Sequence, residues 1–251
     1  MTGSVIPHFG LKRQYNNLRE ELLSVTDDVL KSGQYLNGNY TRQFEKWLAN
    51  RCNAIYAVTV HSGTQALEII ARFKYETHSE TFRKDLGKPT VNMPNLTYPA
   101  TLNAFLNTGW NVNLVDTDKY GISKFENTPD TYECLVGLYG MQPWEWARIE
   151  NSYGVIVDGA QHWLECHGQI GSGMAISFDP TKNLCASGNG GAIVTNNEQL
   201  YLYASRYKDN FKPYFDGQGS NTKLSELDCS HLLVRTKYIS AWQERRKLTS
   251  K

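Results

Sequence analysis

Two side chains in this 251-residue chain point to a joint chemistry. Asp158 follows the apolar run Val155-Ile156-Val157, and Lys182 lies downstream in Ser177-Phe178-Asp179-Pro180-Thr181-Lys182-Asn183. An amine can hold an aldehyde coenzyme as a Schiff base, and a carboxylate can keep the ring nitrogen of such a coenzyme protonated. A third feature, His61-Ser62-Gly63-Thr64, stands between a β-rich run and a helical one. A strand, a glycine turn and a helix start in that order turn free N–H groups and the positive end of a helix dipole toward a phosphate.

The elements that must position these groups show as periodicities. Leu18, Leu22, Val25, Val29 and Leu30 recur at near-helical spacing, and Ser32-Gly33 follows, so a helix with a glycine C-cap is expected over residues 18–31. A Gly/Asn loop over 34–39 precedes a second helix at 41–50, carried by Phe44, Trp47 and Leu48. A strand at 54–60 then runs into the phosphate turn, with Ala66, Leu67, Ile69, Ile70 and Phe73 forming a helical face behind it. Further strands are expected at 91–93, 112–115, 135–138, 155–157 and, after a glycine-rich stretch, 192–195. Strands alternating with helices give an α/β fold, a mostly parallel central sheet with helices on both faces. Asp158 then sits at the carboxyl end of a buried strand, where ligands bind in such sheets. A helix at 197–208, a turn-rich linker at 209–222 and one long helix at 224–247 complete the expected order.

Composition narrows the function classes. Forty per cent of residues are hydrophobic, 20% are charged, and the net charge is +1 without a long run of one sign, which argues against nucleic acid. Arg245-Arg246-Lys247 reads as a solvated helix end complementing the dipole. No stretch approaches the roughly 20 apolar residues of a membrane span, and the first residues lack the apolar core of a signal peptide, so a cytoplasmic location is expected. The 5 cysteines form no C-x-x-C and read as reduced thiols. His162, Glu165, Cys166 and His167 match no common metal-ligand spacing. The glycines of 168–173 do not form G-x-G-x-x-G between a strand and a helix, which argues against a nicotinamide-dependent reductase.

With Pro94-Asn95-Leu96-Thr97-Tyr98 and Leu138-Tyr139-Gly140-Met141-Gln142-Pro143 added, the chain resembles the DegT/DnrJ/EryC1/StrS family of pyridoxal phosphate-dependent nucleotide-sugar aminotransferases. The matching stretches, 33–44, 58–67, 94–104, 114–118, 138–143, 155–161, 176–195 and 219–227, follow the family's order over nearly the whole chain. The resemblance implies the large domain of the fold type I transferases, with pyridoxal 5'-phosphate as coenzyme. It implies transfer of an amino group, from glutamate, to a keto sugar carried on a nucleotide. Lys182 would form the Schiff base and act as acid and base, and Asp158 would pair with the ring nitrogen. Gln161 would hydrogen-bond the ring's phenolic oxygen, Tyr98 would stack on the ring, and Ser62, Gly63, Thr64 and Ser177 would hold the phosphate. Asn221 matches an asparagine that reaches the neighbouring subunit's coenzyme, which implies a homodimer with shared active sites.

Plainer roles stand beside these. Asp158 also suits a helix N-cap, Tyr98 simple core packing, and Ser177 and Gln161 the satisfaction of loop backbone. Sugar dehydratases of the superfamily carry histidine at the Schiff-base position, so Lys182 favours amino transfer. The family pattern continues into a smaller C-terminal domain. The organisation expected is therefore a helical arm at 1–32, a coenzyme-binding domain at 33–208, and a linker with a long helix at 209–251 but no small domain. A binding module, or one half of a split enzyme, is the alternative expectation.

Overall fold

The computed structural model describes residues 9–81, 87–123, 131–141 and 154–249. Helices α1 (Leu11–Ser32) and α2 (Asn39–Arg51) lead into β1 (Tyr56–Val60) and α3 (Gly63–Thr81). Then come β2 (Thr90–Pro94), α4 (Pro99–Asn107), β3 (Asn111–Val115), β4 (Thr131–Val136), β5 (Val155–Asp158), β6 (Gly173–Ser177) and β7 (Gly191–Thr195). Helices α5 (Glu198–Tyr207), α6 (Glu226–Thr236) and α7 (Ile239–Thr249) follow. The strands form one sheet in the order β1-β7-β6-β5-β4-β2-β3. Pairing is parallel from β3 through β6, and β7 runs antiparallel to both β6 and β1. The mostly parallel sheet is as expected.

Every residue of β5, β6 and β7 is buried, the condition of central strands covered on both faces. One face packs Phe44, Leu48, Trp163, Phe178 and Leu232 against the sheet. The other packs Ile69, Ile70, Phe105, Trp110 and Leu200. Phe178 meets Phe44 edge-on at 5.3 Å and Trp163 at 6.1 Å, which fixes the chain just after Ser177. Helix α1 ends at Gly33 in the left-handed conformation (φ 65°), its N–H returned to the Leu30 carbonyl, as the glycine signal required.

Glu226 ties the helices together. Its buried carboxylate accepts from the N–H groups of Gly38, Tyr40 and Thr41 and from the Thr41 hydroxyl. A carboxylate on α6 thereby caps α2, the favourable placement of negative charge at a helix N-terminus. A Cβ at Gly38 would stand 2.4 Å from Glu226 Oε1, so this approach requires glycine.

Three expectations are corrected. The long helix at 224–247 is two helices. Lys237 and Tyr238 donate to Val234 and Arg235, a three-residue turn in place of the α-helical ladder. The Thr236 hydroxyl bonds back to the Leu233 carbonyl at 2.7 Å and competes for the same backbone. The strand expected at 135–138 stops at Val136, and Leu138–Gly140 form a single tight turn with Tyr139 at φ 56°. Strand β6 was not anticipated, because Gly-Met-Ala-Ile-Ser lacks the β-branched density and alternation that mark a strand. Gln142 and Pro143 lie outside the described residues. No helix among the described residues is long and apolar enough to cross a membrane.

Candidate active site

Three strand ends and one helix start converge above the sheet. Asp158 closes β5 and is buried, with one oxygen accepting from the Thr101 hydroxyl at 2.8 Å and the other from the Ala160 N–H at 3.1 Å. Thr101 lies in the first turn of α4, fully buried, its hydroxyl 2.8 Å from that of Thr97. Burial pushes the Asp158 carboxyl above its usual range, while Thr101, Ala160 and the charge of Lys182 pull it back. The net effect is an acid whose ionised form lacks a close cation.

Beside it, β6 ends at Ser177, and the chain turns over to Lys182. Asp179 shapes that turn: its Oδ1 accepts from the Thr181 N–H at 2.9 Å and the Thr181 hydroxyl at 2.6 Å, while its carbonyl accepts from the Lys182 N–H at 2.9 Å. Burial acts to raise the Asp179 pKa, but these bonds and the Lys182 charge outweigh it and hold the carboxyl below its usual range. The Lys182 ammonium is half-buried and forms no hydrogen bond or ion pair among the described residues.

At the end of β1, the Ser62 hydroxyl accepts from Gln65 N–H at 3.1 Å and its carbonyl from Ala66 N–H at 3.0 Å, so Ser62 caps α3. The N–H groups of Gly63 and Thr64, the first of the helix, have no partner among the described residues, as expected at a helix N-terminus. Sterics hold this turn against the neighbouring strand ends. A Cβ at Gly63 would lie 2.8 Å from the Ser177 Cβ, and one at Gly191 would lie 2.2 Å from the Ser62 carbonyl carbon. Glycine at both positions lets β1, β6 and β7 deliver their ends to one point.

Ser62, Gly63, Thr64, Tyr98, Asp158, Gln161, Ser177 and Lys182 all line one cleft of about 620 Å³. The core-packing role for Tyr98 fails, since the residue is 70% exposed at the start of α4. Asp158 does bond a local N–H, as a cap would, yet its other oxygen is held from a different element. Gln161 accepts the Tyr139 N–H through its amide oxygen, which leaves the amide NH₂ to donate elsewhere. Asn221 is not brought to this cleft. It is exposed, bridges Asp209 and accepts from Lys223 Nζ at 2.8 Å. Thr97, Asn189 and Gly190 also line the cleft and were missed, as were Thr101, which holds Asp158, and Gly191, which lets the strands meet. A signal for Thr101 existed, the Thr97/Thr101 pair four apart at a Pro-initiated helix, but nothing in the sequence ties it to Asp158.

The chain matches the model of the DegT/DnrJ/EryC1/StrS aminotransferase family over residues 16–126 and 146–251. It belongs to this family. It is 30% identical over 264 residues to the dTDP-3-amino-3,4,6-trideoxy-alpha-D-glucose transaminase of Streptomyces venezuelae, covering 96% of this chain and 66% of that protein. It is also 30% identical over 259 residues to the 3-oxo-glucose-6-phosphate:glutamate aminotransferase of Bacillus subtilis, covering 94% and 56%. The crystal structure of NtdA from Bacillus subtilis, with bound cofactor PMP, superposes with a TM-score of 0.80 at 29% identity, covering 96% of this chain and 58% of that one. This family member thus spans between 56% and 66% of the length of these relatives.

Proposed function

We propose that this chain is a pyridoxal phosphate-dependent aminotransferase that moves an amino group from glutamate to a keto sugar carried on a nucleotide. One observation carries the reading: three mutually incomplete groups open into a single cleft. Among the described residues, the acid forms no ion pair, the amine forms no hydrogen bond, and the first N–H groups of α3 meet no acceptor. A phosphorylated pyridine aldehyde answers all three, through its ring nitrogen, its aldehyde and its phosphate, so the residues present fit the coenzyme. The bound PMP of the solved relative and the names of the two transaminases support the same choice.

When bound, the coenzyme supplies an electron sink that lets an amino group leave one carbon and join another. Lys182 Nζ would hold it and would move a proton as general base and acid. Asp158, fixed by Thr101 and the Ala160 N–H, would keep positive charge on the ring nitrogen. Ser62, Gly63, Thr64 and Ser177 would hold the phosphate, Tyr98 would cover a ring face, and the free NH₂ of Gln161 would donate to the phenolic oxygen. Asn221, exposed and away from its own cleft, would reach the coenzyme of a second copy in a homodimer with shared active sites. Residues 33–208 form the coenzyme-binding domain, with 1–32 as an arm and 209–251 as linker and closing helices. Five free, buried thiols suit a reducing compartment and support a cytoplasmic location.

The test is a single half-reaction. The chain loaded with pyridoxal phosphate is mixed with glutamate, and pyridoxamine phosphate and 2-oxoglutarate are quantified. Stoichiometric conversion is expected, followed by amine delivery to nucleotide-linked keto sugars in preference to simple sugar phosphates. No conversion with any amino acid overturns the reading.

A further inference from the structure

A second cleft, also about 620 Å³, lies on the other side of Lys182, between the first turns of α1 and the body of α7. All of its charged lining is of one sign. Arg13, Lys182, Arg245 and Arg246 face it, and among the described residues no Asp or Glu does. Gln14 and Asn17 add neutral polar groups. Arg13 and Asn17, four apart on α1, share a helix face. Tyr238 and Trp242, stacked at 5.9 Å, supply a flat aromatic wall.

A further cation stands behind this lining. Arg235 is 8% exposed; its Nε donates to Gln14 Oε1 at 3.2 Å, and its buried Nη1 has no hydrogen-bond partner. Three other cations on these helices are paired with carboxylates. Lys31 pairs with Asp27, Lys237 with Glu21, and Lys247 with Glu165. Arg13, Arg245 and Arg246 have no such pairing among the described residues. The basic run near the chain end therefore divides in two: Lys247 belongs to an ordinary surface ion pair, while the two arginines before it face the cleft. Cations gathered in a concave site without counter-charge focus a positive potential that an anion relieves. Planar guanidinium groups suit phosphoryl oxygens in particular, because both can be bridged by paired hydrogen bonds.

We propose that this second cleft binds the phosphoryl group of a phosphorylated sugar substrate, so that the sugar extends past Lys182 into the coenzyme cleft. The inference rests on the aminotransferase reading for its choice of substrate. Lys182 and Thr181 line both clefts, so a molecule anchored at the arginines needs to cross only the 180–183 turn to reach the reacting amine. The phosphoryl group can come from a sugar phosphate or from a sugar nucleotide, and the two are separable by experiment.

Calorimetric titration of the full chain with pyrophosphate, UDP, dTDP and glucose 6-phosphate tests it, with glutarate as the dicarboxylate control. Phosphoryl probes should bind with an affinity that falls as salt rises. That affinity should drop roughly tenfold or more in Arg245→Ala/Arg246→Ala, the loss of about one charge-assisted hydrogen bond. Arg245→Lys/Arg246→Lys should retain part of it, and Lys247→Ala all of it. UDP or dTDP binding above glucose 6-phosphate identifies the nucleotide as the source, and the reverse order identifies the sugar phosphate. Equal affinity in the double alanine variant with native circular dichroism, glutarate binding as tight as the phosphoryl probes and equally lost in that variant, or no binding of any phosphoryl probe overturns the proposal. Coenzyme capture at Lys182 is measured on the same samples. Capture with arginine-insensitive binding rejects this inference alone, whereas absent capture rejects the aminotransferase reading.

Discussion

The two clefts that meet at Lys182 are built in opposite ways. The coenzyme cleft is made of strand ends and backbone N–H groups pressed together through Gly63 and Gly191, and its acid is buried between two fixed donors. The second cleft is made of long side chains on two helices, with its arginines at the surface. The first therefore has no slack, since a single added methyl group meets backbone. The second adapts, because guanidinium groups on flexible stems can follow different phosphoryl positions. A rigid site suits a group held in every turnover, and an adaptable one suits recognition of variable substrates.

Breaking the rigid side at its proposed reacting amine is expected to give the largest effect. Lys182→Ala should abolish covalent coenzyme capture and slow the glutamate half-reaction by about 10²–10⁴-fold, the range for a lost general acid/base. Stopped-flow conversion measures it; a variant that keeps the wild-type rate refutes the role. Gly191→Ala comes next, because its new Cβ would stand 2.2 Å from the Ser62 carbonyl carbon, backbone that cannot swing aside. Urea unfolding should show a loss of about 1–3 kcal/mol, the usual cost of overpacking. Coenzyme affinity should fall with it, while UDP affinity stays put. Equal loss in both clefts would show that they are one mechanical unit.

Asp158→Asn separates stability from function. Burial raises the Asp158 pKa in the folded chain, so its contribution to stability is present below its unfolded value near 3.8 and is lost as pH rises through the raised one. Without coenzyme, the Asn variant should melt at or above the wild-type temperature at pH 7, and the difference should shrink on acidification. With coenzyme, its thermal shift should be smaller than that of wild type. A variant less stable at pH 7 without coenzyme contradicts the burial argument. Thr101→Val should have the smallest effect. Removing one hydrogen bond to a charged group costs about 1.5 kcal/mol, roughly tenfold in coenzyme affinity by equilibrium titration. Thr101→Ser should restore it.

The rigid cleft was largely legible in the sequence, and the adaptable one was not. Asp158 and Ser62-Gly63-Thr64 announce themselves because strand ends and helix starts are local patterns, and local patterns are what periodicity reads, whereas Lys182 stands in a turn and drew its meaning from the company of those two. Strand β6 escaped because its short Gly-Met-Ala-Ile-Ser run is buried on both sides and carries no alternation. The division of α6 from α7 escaped because hydrophobic spacing continues across it, and only the bonding of Lys237, Tyr238 and Thr236 reveals the turn. Thr101 and Gly191 act through partners 57 residues away and across a strand crossing, respectively, so their roles are tertiary facts. Arg13 and Arg245 are far apart in the sequence, and Arg245 reads as an ordinary helix end until α7 is brought beside the start of α1.

The central proposal is that Lys182 faces a coenzyme held by Asp158 and the start of α3. Borohydride reduction of the coenzyme-loaded chain, followed by peptide mapping, tests this most directly. One pyridoxyl group on the peptide bearing Lys182, and none in Lys182→Ala, is the predicted result. A label on another lysine, or no label at all, would contradict it.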